Sequence, residues 1–541
     1  MSASPPLALP VTSDDSDESP PMHRIFTIPE LVTAIIRELG WMQSLVHGPL
    51  TVCKLWAEIT MDLIWRVVDD PGAIFRLLAP VKEQPSDDED GVYGYHYTFK
   101  TLPTPSGWAR FNLYRRRIRV LNDGALGVSC RPVINDIAVL QPDSTAFLPN
   151  LTELSWEYAH GDLWRESVFF MHEGIKKFSL LLELREHETH KTILQYFEHM
   201  AVRMPHLQSF YLDLLYYDAT ASQAHIGPAL SWLLPKLRSL KVLKLSPVLD
   251  LYDVISSTAS LPNLETIDAS VVGSLFPFYP PTSNVTLARD LQNLSLSISY
   301  PEATTHLLCT EFPVLTELSL SSHKPESQIS TRTLTRAIAL HCESLRDISL
   351  IANNADGLDL TSDRHITLAD IQPLFGCRSV VRFSITHVLP LHLTNNDIRS
   401  LLTNWSTVVD LYLNQSPSHV LPPGSEPYSN WETLAVVAEH GGHLEHLGLH
   451  LNGFAKIPPC VGVASLPKLK RLSVGTSKLP SKMKEVLGPA RFLSQFLTLQ
   501  CQVDCFYKSP DRAGWNTLSE LLDSFIRVRM EERELARTRI C

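Results

Sequence analysis

LEHLGLHLN, from Leu444 to Asn452, is the stretch that decides the fold. On an extended backbone Leu447 and Leu449 point to one side, while His446, Gly448 and His450 point to the other. The same order, apolar, any two residues, apolar, one intervening residue, apolar, returns eleven more times. It reads LTELSW from Leu151, IKKFSL from Ile175, LQSFYL from Leu207, LKVLKL from Leu240, LETIDA from Leu264 and LQNLSL from Leu291. It continues as LTELSL from Leu315, LRDISL from Leu345, VVRFSI from Val380, VVDLYL from Val408 and LKRLSV from Leu469. The second apolar positions run from Leu154 to Leu472 at intervals of 24 to 36 residues.

Between these short strands lie stretches with helical apolar spacing, such as KTILQYFEHMAVRMP, TRTLTRAIALHCESL and NWETLAVVAEHGGHL. Strand and helix therefore alternate, which implies an α/β chain with a parallel sheet. This unit resembles the leucine-rich repeat. The family's LxxLxLxxN is met in full by Leu444, Leu447, Leu449 and Asn452, and nearly so by Leu345, Ile348, Leu350 and Asn353. The resemblance implies an irregular solenoid of parallel strands and helical returns. A doubly wound α/β sheet also alternates strand and helix, but it would not require the repeated motif. In a stacked solenoid, Leu318, Ile348 and Leu447 are expected to be buried between repeats.

Ahead of the repeats, IPELVTAIIRELGWMQSLVHGPLTVCKLWAEITMDLIW runs from Ile28 to Trp65. Pro29 suits a first helical position, and Leu31, Ile35 and Leu39 share a face with Ile36 beside them. Farther on, Cys53, Trp56, Thr60 and Leu63 follow a second helical spacing, widened by Val52, Leu55 and Ile59. About forty residues with this much apolar surface are too few to bury it by themselves. The order Ile28-Pro29-x-Leu31, then Val52-Cys53-x-x-Trp56, then Ile64-Trp65, resembles the F-box, the helical module that docks substrate receptors onto the Skp-type adaptor of cullin-RING ubiquitin ligases. One departure is Gly48-Pro49, where the family's second helix is usually continuous; a helix beginning at Pro49 accommodates it. The likeness implies adaptor contacts from Pro29, Leu31, Ile35, Ile36, Leu45, Val52, Cys53 and Trp56.

An F-box followed by these repeats resembles the leucine-rich-repeat F-box proteins abundant in fungi. That likeness implies a substrate-recognition subunit of an SCF-type ligase. The alternative is a repeat scaffold with no part in ubiquitination. The expected division is a disordered tail over 1–21, the helical module over 22–70, a connector with an acidic loop over 71–107, the solenoid over 108–510 and a capping helix over 511–541.

Composition narrows the function. The formal charge is −11, from 47 basic and 58 acidic side chains, which leaves no electrostatic footprint for nucleic acid or an anionic membrane. No apolar run is long enough to span a bilayer, and the first residues lack a signal-like core, so a cytoplasmic or nuclear location is expected. Nine scattered cysteines form neither a disulfide framework nor a zinc pattern. No nucleophile elbow, phosphate loop or HExxH helix is present, so neither catalysis nor a cofactor is expected. His187 and His190 with Glu186 and Glu188 fit a solvated helix start better than a metal site, and His443, His446 and His450 fit a binding surface better.

A target surface follows from strand alternation. The residue between the second and third apolar positions faces the concave side, in a column including Tyr211, Ser295, Ser319, Ser349, Ser384, Tyr412 and Gly448. Tyr211 and Tyr412 are the expected anchors because tyrosine joins a large contact area to a polar tip. Asp347, Arg382, Asp410 and His446, two residues earlier on the same face, are expected to set its polarity.

Overall fold

The computed structural model describes residues 24–39, 48–85, 95–123, 128–140, 146–156, 163–183, 190–215, 219–246, 251–270, 290–309, 312–322, 324, 326–352, 365–418, 429–459, 464–506 and 512–540. Among these, fifteen parallel strands lie side by side in chain order, from Val67–Val68 to Gln502–Cys505. A smaller sheet, the hairpin Val81–Pro85 with Tyr95–Phe99 and the short strand Val128–Ser129, stands apart from it. Strict chain order with helical or irregular returns is the topology of a leucine-rich-repeat-type solenoid, not of a doubly wound sheet, whose strand order reverses.

Register explains why the motif repeats. Ser295, Ser319, Ser349, Ser384, Tyr412, Gly448 and Ser473 are successive cross-strand partners. Leu294, Leu318, Ile348, Phe383, Leu411, Leu447 and Leu472 form the inward column beside them. Each inward member is buried, and together they belong to one continuous apolar core along the solenoid. Helices such as Gln328–His341 and Asn395–Asn404 close the other side, each started by a reciprocal cap: Ser327 with Ser330, and Thr394 with Asp397.

The sheet starts earlier than the repeats announce. Val67–Val68 pairs with Val120–Leu121, so the first strand falls inside residues 22–70. The stretch 71–107 is more than a connector: Asp70 accepts the Gly72 N–H at 2.7 Å and starts the helix Pro71–Leu78, and the hairpin follows. Of the acidic loop expected over 81–92, Val81–Pro85 is a strand instead, held by pairing with Tyr95–Phe99, and the rest lies outside the described residues, as do the tail over 1–21 and Asn353. Near the other end the helix Arg512–Ile540 buries Trp515, Leu518, Leu522 and Ile526, while Phe525 is half-buried. Trp515 donates its indole N–H to the Ser477 carbonyl at 2.9 Å, which fastens this helix over the last strands.

Asp123 marks a repeat that the motif hides. Leu121 is in register with Leu154, so Asp123 occupies the inward position held by Trp156 one strand later. Burial, and then the carboxylates of Glu166 and Asp70, push its pKa up to about 8 from an ordinary 3.8. Between those values the folded chain retains a proton that the unfolded chain has released, so this group's contribution to stability declines as pH rises from about 4 to about 8. Asp123→Asn is expected to remove that decline, so that the variant gains on the parent in thermal unfolding at pH 8 relative to pH 5. Equal pH slopes for the two proteins would contradict a half-buried, proton-holding Asp123.

Candidate functional site

The N-terminal helices have their own small core. Pro29–Glu38 packs on Lys54–Ile64, burying Val32, Ile36 and Trp56, with Ile35, Cys53, Ile59 and Leu63 partly covered. The Trp56 indole N–H donates to the Phe26 carbonyl at 3.1 Å. The expected helix from Pro49 is a single turn, Pro49–Val52; Cys53 is extended, at φ −164° and ψ 171°, and a new helix starts at Lys54. β-Branched Thr51 and Val52 at that break are weak helix formers.

This packing divides the residues assigned to adaptor binding. Pro29, Leu31 and Val52 are exposed, Leu31 at 42% and Val52 at 51%. Ile35 and Cys53 are half-buried. Ile36 and Trp56, at 0% and 9%, belong to the helix pair's own core. Leu45 lies outside the described residues. Ile28 and Leu39, which the sequence reading did not assign to the adaptor, are exposed alongside Leu31. The pair is tied to the solenoid by Arg117, which donates to the carboxylates of Glu58 and Asp62, and by the rings of Trp65 and Tyr114, 4.9 Å apart.

The second surface lies on the exposed face of the sheet. A cleft of about 440 Å³ is lined by Ser295, Glu317, Ser319, Asp347, Ser349, Arg382, Ser384, Asp410 and Tyr412, with Leu318, Ile348 and Phe383 at its base. The serines leave the centre shallow and open, and the larger polar side chains stand in the flanking column. Register places Glu317, Asp347, Arg382, Asp410 and His446 next to one another on consecutive strands. Cross-strand pairs then form a ladder: Asn293 donates to Glu317 at 2.7 Å, Arg382 pairs with Asp347, and the His446 ring nitrogen Nδ1 lies 2.6 Å from Asp410.

Three carboxylates face one guanidinium within the cleft. The Asp347 hydrogen bond holds Arg382 firmly charged, with its pKa raised. Burial, and then the Asp410 carboxylate, raise the Tyr412 hydroxyl's pKa, with Arg471 opposing, so the phenol is neutral and able to donate near neutral pH. A Cβ added at Gly448 would meet Tyr412 Cδ1 at 2.4 Å and Gln415 Oε1 at 2.0 Å. Glycine there is what lets the Tyr412 ring lie towards the next strand.

Asp347, Arg382, Asp410 and Tyr412 thus share one cleft, and His446 extends it by a strand. Tyr211 does not belong to it. Lys244 and Asp268 separate it from Ser295, three strand spacings or roughly 14 Å. Tyr211 donates to Asp213 at 3.3 Å instead. Glu317 was overlooked, although it occupies in LTELSL the place that Asp347 occupies in LRDISL. Of the other histidines, burial lowers the pKa of His443 and brings His450 down to about 4. Among the described residues no group of His, Cys, Asp and Glu is arranged to hold a metal ion, and no helix is long and apolar enough to cross a membrane.

No protein-family model and no curated protein matches this chain. Solved structures do. A Bacteroides fragilis protein aligns over 64% of this chain and 78% of its own at 10% identity, with a TM-score of 0.31. A chain of the Drosophila Toll–Spatzle complex aligns over 76% of this chain and 47% of its own at 12% identity and a TM-score of 0.33. A chain of the yeast Rad7 and Elc1 complex aligns over 73% and 78% at 14% identity and a TM-score of 0.31. The fold assignment rests on the fifteen-strand parallel register, not on these likenesses.

Proposed function

We propose that this chain is a non-catalytic substrate receptor of an SCF-type ubiquitin ligase, acting in the cytoplasm or nucleus. Its N-terminal helices engage a Skp-type adaptor and its concave cleft holds a target protein. The observation that carries the reading is the set of exposed apolar side chains, Ile28, Leu31, Leu39 and Val52, on a helix pair whose separate core does not use them. Ubiquitin transfer then takes place on other subunits. The inward positions of Ile36 and Trp56 and the break at Cys53 favour a second reading, a repeat scaffold whose helix pair binds a different partner. Affinity purification of the chain with and without residues 22–64, which spares the first strand and the Asp70 cap, separates the two: the adaptor and cullin should be recovered only with those residues, and their absence from both samples would favour the scaffold.

The target surface has its own test. Replacing Tyr412, Arg382 and His446 together by alanine removes the phenol and two rungs of the polar ladder while leaving the inward leucines in place. Target recovery is expected to fall by roughly tenfold or more, with adaptor recovery and thermal unfolding unchanged. Unchanged target recovery would move the target to the loops between repeats.

A further inference from the structure

Glu317 and Asp347 face each other from neighbouring parallel strands of the concave cleft, in register and about 4.8 Å apart. Carboxylates set directly opposite one another repel, so this arrangement costs the free protein stability. Neighbours elsewhere in the column can be of opposite sign, as Glu153 and Lys177 are at 3.0 Å. Asp347 has the guanidinium of Arg382 on its far side. Glu317 has no such relief: among the described residues its partner is the neutral amide of Asn293, at 2.7 Å.

The bonds already made leave one oxygen of each carboxylate open. Arg382 donates to Asp347 Oδ2, and Asn293 donates to Glu317 Oε2. Among the described residues, Asp347 Oδ1 and Glu317 Oε1 accept no hydrogen bond. Ser319 and Ser349, two residues farther along the same strands and themselves in register, keep the adjoining floor low and add two hydroxyls.

We infer that the target presents an arginine to this cleft and that its guanidinium bridges Glu317 and Asp347. The inference rests on the concave cleft being the target surface, and it names what that surface reads. A guanidinium offers donors in a planar fork, so it can meet carboxylates on two adjacent strands at once and cancel their repulsion, which the point charge of a lysine does less well. A divalent cation would need about six oxygens around it, and among the described residues no three acidic, histidine or cysteine side chains are grouped to hold one. The cleft also runs on from Ser295 to Tyr412, four strand spacings or roughly 19 Å, which is longer than one arginine and suits a stretch of polypeptide.

The test uses the full chain as bait for a displayed library of random peptides, followed by anisotropy with a fluorescent copy of an enriched peptide. Arginine is expected at one aligned position, with binding weakened by salt. Affinity should fall roughly tenfold or more when that arginine becomes glutamine, and likewise in the double change Glu317→Gln and Asp347→Asn. Glu317→Gln alone should weaken binding without lowering the thermal midpoint, because it removes a like-charge contact at an exposed side chain; a merely structural role would lower it. Glu317→Arg should turn the selection from arginine to aspartate or glutamate at the same position. An empty selection, or arginine peptides indifferent to the two carboxylate changes, overturns the inference. Peptides enriched without arginine that still lose affinity in Tyr412→Ala also overturn it, and leave the cleft as the target surface. Peptides that bind Tyr412→Ala and the carboxylate variants as tightly as the parent overturn the cleft reading itself. Free arginine competing as tightly as the peptide binds would make this a small-cation site and overturn the polypeptide assignment.

Discussion

Leu447→Ala is expected to destabilise the C-terminal repeats by about 2–5 kcal/mol. Leu447 has no exposed surface and sits in register between Leu411 and Leu472. Truncation removes transfer free energy and leaves a void that two flanking repeats border, and neither can close it without giving up its own register. A solenoid holds together through contacts between neighbouring repeats, so the loss falls on both interfaces of one unit and the damage concentrates locally. Trp431 and Trp515, buried nearby with ring centroids 6.3 Å apart, lie in that C-terminal part. Urea unfolding followed by tryptophan fluorescence should show an earlier transition in the variant. Val202→Ala, at a side chain 79% exposed, is the control and should move the midpoint by no more than about 0.5 kcal/mol. A shift at Leu447 no larger than at Val202 would contradict stacking through this column.

The repeat register was legible because the side-chain period of a strand is two and the motif fixes its phase. Once Leu447 and Leu449 are inward, His446 and Gly448 must share the other face, and the observed pairing of Asp410 with His446 and of Tyr412 with Gly448 follows. Three strands of the long sheet lie outside the motif. Val67–Val68 is two residues long, too short to show a period. Just after the strand Val120–Asn122, Asp123 stands at the motif's third apolar position, where charge breaks the pattern. In Gln502–Cys505, Gln500 stands three residues before Val503, where the motif asks for an apolar side chain.

The sites were less legible than the fold, for a related reason. Asp347, Arg382 and Asp410 share a cleft because they hold one position on adjacent strands, so a column drawn on the sequence finds them. A column gives no limit along the sheet, so it also takes in Tyr211, three strand spacings from the cleft. At the N-terminus the sequence marks apolar positions but not how two helices divide them. Val32 took an inward place at which the family pattern is silent, and Ile36 and Trp56 went with it.

That division sharpens the second large effect. If the helix pair docks on a Skp-type adaptor, the contact must come from the apolar side chains left outside, so Leu31→Asp combined with Val52→Asp is expected to lower adaptor affinity by roughly a hundredfold or more. Each replacement puts a carboxylate into a surface that must lose its water on docking, and desolvating an unpaired charge there costs more than the apolar contact it replaces. Both positions are exposed, so the pair should keep its core of Val32, Ile36 and Trp56, and the solenoid its unfolding profile. Ile36→Asp is the contrasting change: with no exposed surface it should also abolish binding, but by unfolding the helix pair, visible as new protease sensitivity confined to the N-terminal helices. Calorimetric titration with purified adaptor, alongside limited proteolysis of all three proteins, distinguishes a lost contact from a lost fold. Undiminished affinity in the Leu31 and Val52 double variant would mean that these helices do not meet an adaptor through their exposed face, and would leave the repeat scaffold as the standing account.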